Sequence, residues 1–416
     1  MSRIVLATLG SLGDLHPMIA LGLELKARRH SVTIAAMEFY REKIVRTGLE
    51  FVPMAPHLGP ADEQLAKDLM DTAKGSENVI RKLVMPNLRV MYDDLMLAVK
   101  GTDVLVTGEI VYAAHSVVEK TGIKWATTTL APISLFSGHD PPVPPPAIWF
   151  EHFRFLGPGF HKLLFSAINL SMKSWLTEYR QFRRELGLNE DEDPIMRDKF
   201  SDDLHLVMFS KALGAPQPDW PADAVQTGFC FYDGQKDDGQ MPDGLQEFLD
   251  TGEPPIVFTL GSAAVMDARD FFDQSANAAL TLGRRAVLLY GRDNKPPKGL
   301  NYNIVGFEYA PYSLVFARAA CVVHQGGVGT TGQVLRAGVP HLFMPYGHDQ
   351  PDNAARCRRK GVAEIISRDR YNSGSAASEL GKILSEPNYS SNARRLAEIV
   401  ASEGGTSTAC DAIEKL

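Results

Sequence analysis

The sequence predicts an α/β protein of two doubly wound, Rossmann-like parallel-sheet domains facing each other across a cleft. Three observations lead there. Short apolar, β-branched runs alternate with stretches of helical spacing, the pattern of parallel sheets covered on both faces. A polar, Pro/Gly/Asp-rich stretch near 214–254 interrupts that rhythm, which then restarts. The 416 residues also suit about two domains of ordinary size, each with its own core.

Each element follows from its residues. RIVLATLG (3–10) is an apolar run closed by glycine. HPMIALGLELKARRH (16–30) places its apolar residues at helical spacing, and SVTIAAM (31–37) is a second strand. After an irregular polar region, DVLVTG (103–108) and KWATTTL (124–130) repeat the pattern. Residues 132–176 differ, being rich in proline, phenylalanine and histidine, with PPVPPP at 141–146. Beyond the polar stretch come PIVFTLGS (255–262), RAVLLYG (285–291), NIVGF (303–307), CVVH (321–324), HLFMP (341–345) and AEII (363–366). The expected divisions are 1–214 for the first domain, 215–254 for the connection, 255–395 for the second domain, and 396–416 for a terminal helix packing back on the first. Ligands of such sheets bind at the carboxyl ends of strands, and the cleft between two domains is the default site.

Composition narrows the function. Hydrophobic residues at 44% and charged residues at 22% are the balance of a soluble globular protein. A net charge of −7 argues against a nucleic-acid partner, which calls for a basic excess. Cys230, Cys321, Cys357 and Cys410 are scattered with no CxxC pair, so neither a disulfide framework nor a zinc site is expected, and a reducing cytoplasm fits. MSRIVLATLG contains no apolar stretch of signal-peptide length, and no segment reaches the ~18 apolar residues of a membrane span. Nothing in the sequence fixes an oligomeric state.

Three stretches carry chemistry. In HQGGVGTTGQ (324–333) a strand ends at His324, glycines make the turn, and a short helix runs to Gly338. Glycines let a backbone approach a ligand, and the helix amino terminus offers free N–H groups and a positive dipole end, so a diphosphate is the natural occupant. His324 is expected to point at it and donate a hydrogen bond, with the Thr330 hydroxyl beside it. Gly327, Gly329 and Gly332 also spell GxGxxG, with Asp349 about 20 residues on, as a dinucleotide fingerprint asks. That acid, however, follows a strand already ended at Pro345. In the second stretch, GHDQPDN, Asp349, Gln350 and Asn353 are expected on a loop, an acid beside amides suited to sugar hydroxyls. The third is LGSLGDLHP (9–17), where Asp14 or His16 is a candidate general base. Asp14 is equally a candidate cap for a helix opening near Pro17.

These stretches, in this order, resemble family 1 of the nucleotide-sugar glycosyltransferases, the UDP-glycosyltransferases of the GT-B fold, in their bacterial and sterol-type subgroup. The C-terminal signature of that family reads here HQGGVGTTGQVLRAGVPHLFMPYGHDQ, GSLGDLHP resembles its amino-terminal opening, and VFTLGS its second-domain opening. The resemblance implies that His324, Gly326, Gly327, Gly329 and Thr330 hold the donor diphosphate, with Ser262 and Gly13 approaching it. Tyr309 and Tyr312 fall in the nucleobase region, where plant members carry tryptophan and glutamine. Asp349 and Gln350 match the pair that contacts the donor sugar, with Asn353 nearby. Asp14 matches the catalytic base, His16 being the alternative.

The implied activity is inverting transfer of a hexose from a UDP- or dTDP-sugar to an acceptor hydroxyl, with no cofactor and no metal. NEDED (189–193) holds an acid-x-acid pair, Asp191 and Asp193, read as solvated surface. Phe136, Trp149, Phe150 and Phe153, with Phe155 and Phe160, lie in the acceptor half and favour an apolar acceptor: a sterol, terpenoid, polyphenol, polyketide or hydroxy-fatty acid. His139 and Asp140 are candidate supports of the base. A lipid acceptor would bring peripheral membrane contact, for which the acidic balance offers no basic patch. The alternatives are an NAD-dependent oxidoreductase using GxGxxG, and a nucleotide-sugar epimerase or binding protein of the same fold.

Overall fold

The computed structural model describes residues 1–57, 65, 68–145, 147–234, 240–262, 264–292 and 294–416. Pro146 of the proline run and residues 235–239 of the polar stretch lie outside them. α-Helices of eight or more residues are numbered.

The first sheet takes β1 (Arg3–Ala7), β2 (Ser31–Ala36), β3 (Glu50–Pro53), β4 (Val104–Thr107), β5 (Lys124–Thr129), β6 (Leu204–Val207) and β7 (Ala224–Gln226). They lie in the order β3-β2-β1-β4-β5-β6-β7, all parallel. Its helices are α1 (Leu12–Ala27), α2 (Leu88–Ala98), α3 (Ala113–Thr121), α4 (Gly157–Met172) and α5 (Thr177–Glu185). Side chains alternate across the strands. Ile4 and Leu6 face a core shared with α1, while Val5 and Ala7 face another shared with α2, α3 and α5.

The second sheet contains β8 (Ile256–Thr259), β9 (Ala286–Leu289), β10 (Ile304–Phe307), β11 (Cys321–His324), β12 (His341–Phe343) and β13 (Ala363–Ile365), in the parallel order β10-β9-β8-β11-β12-β13. Around it lie α6 (Phe271–Thr281), α7 (Val328–Ala337), α8 (Gln350–Arg359), α9 (Ser373–Ser385) and α10 (Pro387–Ser402), and α11 (Thr406–Ile413) follows. α11 crosses to the first domain, where Ala409, Cys410 and Ile413 join the α1 core and Arg28 pairs with Asp411 and Glu414. The division expected at 395/396 falls inside α10.

Every predicted strand forms, and β3, β6 and β7 are additional. β7, three residues inside the stretch that reads as a connection, completes the first sheet. Its surrounding Pro, Asp and Gly residues hide it from a pattern search. All four cysteines are buried and free. Among the described residues no helix is long and apolar enough to cross a membrane.

Candidate active site

At the start of α1, Ser11 is the N-cap. Its hydroxyl accepts from Gly13 N at 3.1 Å, and Asp14 Oδ2 accepts from Ser11 N at 2.7 Å. This reciprocal cap opens the helix at Leu12, ahead of the predicted His16, and leaves Asp14 in the first turn rather than at the cap. Asp14 Oδ1 has no hydrogen-bond partner among the described residues. Burial pushes the carboxyl up to about 6; the Ser11 hydrogen bonds pull it down and nearby Glu109 raises it. Glu109, just past β4, accepts from Leu130 N at 3.1 Å. Tyr40 donates to Gly10 O at 2.9 Å, beside the same carboxylate.

Facing this turn is the amino end of α7. Gly326 has φ 100°, and a Cβ there would press Phe343 at 3.0 Å and Gln350 O at 3.1 Å, so the turn requires glycine. Val328 N donates to Asp349 Oδ2 at 2.9 Å. The N–H groups of Gly329 and Thr330 meet no acceptor among the described residues, as the first turn of a helix leaves them. A Cβ built on Gly329 would lie 4.0 Å from Gly13 Cα. Two helix amino termini, one from each domain, therefore converge on one point of the cleft, and their dipoles favour an anion there.

His324 departs from its expected role. It is fully buried, with Nδ1 accepting from Gly326 N at 3.2 Å and Nε2 3.0 Å from His341 Nδ1. Burial first, then His341, hold its pKa well below the ordinary histidine value, so the ring is neutral. Nδ1 serves the turn and Nε2 faces His341 on β12, so neither nitrogen is left for the cleft. Alternation along the strand sends the next side chain the other way. Gln325 lies against Gly261, where a Cβ would overlap its amide and lie 3.1 Å from Cδ, and its Oε1 is buried without a partner.

Asp349, Gln350 and Asn353 are not on a loop: Asp349 is the N-cap of α8, and the amides occupy its first turn. Asn353 Nδ2 donates to Asp349 Oδ2 at 2.7 Å and Gly326 O at 2.9 Å, while Gln350 Oε1 accepts from Tyr346 N at 2.8 Å. Burial pushes Asp349 up to about 7, against the Val328 and Asn353 hydrogen bonds and with help from the charge of Asp14. The charge of Asp14 thus reaches Asp349 across the cleft.

The other candidates scatter. His16 packs its ring 5.2 Å from Tyr232. Ser262 is exposed, Tyr309 half-exposed, and Tyr312 is tucked inward, bonded to Thr259 Oγ1 at 2.9 Å and stacked on Phe316. Phe150 is core, Phe136 packs on Phe165, and Trp149 and Phe153 stay exposed. Asp140 does not support the base; it pairs with Arg154 and Arg356. Asp193 is not solvated: it is buried and accepts from Ile195 N and Met196 N. His115, Glu119 and Glu192 form the one metal-like cluster among the described residues, but Arg183 bridges its carboxylates at 2.7 and 2.8 Å. Sequence reasoning passed over Gly10, Tyr40, Glu109, Gly261 and Gln325. Strand alternation beside His324 was the available signal for Gln325; the others needed the fold.

Residues 4–125 match the glycosyltransferase family 28 N-terminal domain, and residues 291–416 match the erythromycin biosynthesis protein CIII-like C-terminal domain. O-Mycaminosyltylonolide 6-deoxyallosyltransferase of Streptomyces fradiae is 31% identical over 99% of this chain and 97% of its own length. Among solved structures, the glycotransferase of kitacinnamycin superposes with a TM-score of 0.75 at 22% identity, covering 100% of this chain and 98% of the other. The Streptomyces sp. SF2575 glycosyltransferase SsfS6, complexed with thymidine diphosphate, gives 0.67 at 21% identity over 100% of both chains. These matches do not favour the oxidoreductase alternative. The chain belongs to the family 1 nucleotide-sugar glycosyltransferases of the GT-B fold, inverting and metal-independent enzymes.

Proposed function

We propose that this enzyme moves a hexose from a dTDP-sugar to a hydroxyl of an apolar, polyketide-like acceptor, with Asp14 as general base. The observation that carries the reading is the convergence of the α1 and α7 amino termini, with Asp14 on one side and Asp349 on the other. The unclaimed N–H groups of Gly329 and Thr330 receive the diphosphate, and the Gln325 amide nitrogen, packed against Gly261 and Gly327, completes the turn that holds it. Asp349 and Gln350 contact the sugar, and Asn353, fully buried, holds the Asp349 carboxylate from behind. The thymidine diphosphate in one solved relative and the deoxysugar in the name of the Streptomyces fradiae relative support dTDP over UDP.

The chemistry follows. The acceptor hydroxyl lies at Asp14 Oδ1, the oxygen left free by the cap. As it attacks the anomeric carbon, its proton passes to Asp14; a carboxylate titrating near 6 is a better base than an ordinary aspartate. The nucleoside diphosphate leaves from the opposite face, so the configuration inverts. Its growing charge is met by the α7 dipole and free N–H groups. The exposed rings of Trp149 and Phe153 offer an apolar wall to the acceptor. Titration calorimetry with dTDP and UDP tests the donor: dTDP is expected to bind at least tenfold more tightly. Equal or reversed affinities would move the donor to UDP.

A further inference from the structure

The helix that carries the donor-sugar residues is also bound to the acceptor half, through a different face. Asp349 and Asn353, four residues apart, face the α7 turn. Asp352, Arg356 and Arg359, four and then three residues apart, face the first domain. Asp352 Oδ1 accepts from Val143 N at 3.0 Å, and its other oxygen accepts from Arg356 Nε at 2.7 Å. Arg356, 3% exposed, reaches across to the Asp140 carboxylate and to Asp140 O at 3.3 Å. Asp140 is held from behind by Arg154 at 2.5 Å, and Arg359 makes a two-pronged pair with Glu151 at 2.7 and 2.8 Å. Asp140, Val143 and Glu151 therefore meet α8, and Glu151 shares a short helical stretch (Ile148–Leu156) with Trp149, Phe150 and Phe153. From the other side, His348, one residue before the cap, accepts φ 56° and places Nε2 2.8 Å from Leu69 O.

We propose that Asp140 and Arg356 are a positioning pair that couples the acceptor wall to the donor-sugar helix, so that the acceptor segment is seated only when α8 presents Asp349 and Gln350. Neither residue touches the reacting atoms. A buried guanidinium shared by two carboxylates, one from each domain, has few alternative arrangements, because displacing it leaves Asp352 buried without its partner. The pair thereby fixes the spacing between acceptor wall and sugar, and keeps water off the anomeric carbon. This inference rests on the reading of Trp149 and Phe153 as acceptor wall and of Asp349 as sugar contact.

The test uses Asp140→Asn, with Glu151→Gln as the milder, solvent-edge variant and Arg28→Gln as control. Arg28→Gln breaks a different long-range pairing, from α1 to Asp411 on α11 and to Glu414 at its carboxyl cap. Acceptor KM, transfer rate, hydrolysis of the dTDP-sugar by water and dTDP affinity are measured for each. Asp140→Asn is expected to raise acceptor KM about tenfold and the hydrolysis-to-transfer ratio about tenfold, with dTDP affinity within twofold of the parent. Glu151→Gln moves the same way by about threefold, and Arg28→Gln leaves the ratio unchanged. An unchanged ratio in both Asp140→Asn and Glu151→Gln, or an equal change in Arg28→Gln, overturns the pair. Should Asp140→Asn fail to fold, Glu151→Gln alone decides. A parent enzyme that binds no dTDP would refute the donor reading itself, a result separable from these.

Discussion

Gly10 has no side chain because the Asp14 carboxylate occupies the space. A Cβ on Gly10, whose φ is 131°, would overlap Oδ2 and lie 2.6 Å from Cγ. The glycine in the turn between β1 and α1 thus sets where the proposed base sits. Gly10→Ala is expected to displace that carboxylate and to lower kcat roughly 10–100-fold, the cost of misplacing a reacting group by about an ångström. Steady-state kinetics beside dTDP calorimetry check it: kcat falls while nucleotide affinity stays.

The pH profile carries the signature of the cleft carboxylates. Asp14 titrates near 6 and Asp349 near 7, each raised chiefly by burial. Transfer by an ionised base therefore rises with pH through about 6, with neighbouring Asp349 broadening the limb toward about 7. Initial rates at saturating donor from pH 4.5 to 8.5 measure it. Rates already level from about pH 5 upward, as an ordinary aspartate at 3.8 would give, would contradict the assignment.

Stability responds in the opposite sense. A carboxyl raised from 3.8 in the unfolded chain to about 6 in the fold binds its proton more tightly when folded. Ionising it costs stability progressively as pH rises from about 4 to about 6, and the cost is absent below both values. Asp14→Asn removes that cost and keeps an oxygen to cap Ser11. Its Tm, relative to the parent, is expected to be higher at pH 8 than at pH 4.5, as thermal melts at both pH values would register.

His324 and its neighbour Gln325 separate structure from ligand binding. His324→Ala strands the Gly326 N–H and opens a cavity beside His341. The expected loss is about 2–4 kcal/mol of stability, read from urea denaturation. Gln325→Leu leaves the fold intact and weakens dTDP about tenfold, roughly 1.4 kcal/mol. The reverse pattern would return His324 to the diphosphate.

Much of this was legible in the sequence. Buried strands such as VVH and VLLY announce parallel sheets because both faces are covered, and the glycine-rich turn announces α7 because only glycine tolerates Gly326's backbone. Asp14, Asp349 and Gln350 can be singled out in the sequence because their neighbours in sequence are also their neighbours in space. His324 misled for the complementary reason: a polar side chain at a strand end can face either way, and its partner His341 lies 17 residues on. The loop reading of Gln350 overlooked the helix-opening pattern of an acid cap followed by proline within the first turn, here Asp349 and Pro351. Asp140 needed Arg356, 216 residues away, and no local pattern records that distance.

The most direct test of Asp14 as base is the single-turnover rate of sugar transfer by Asp14→Asn from an enzyme-bound dTDP-sugar to a hydroxylated polyketide acceptor. Loss of about 10²–10⁴-fold, with dTDP affinity preserved, is the expected result. Transfer at the parental rate would contradict it and remove Asp14 from the chemistry.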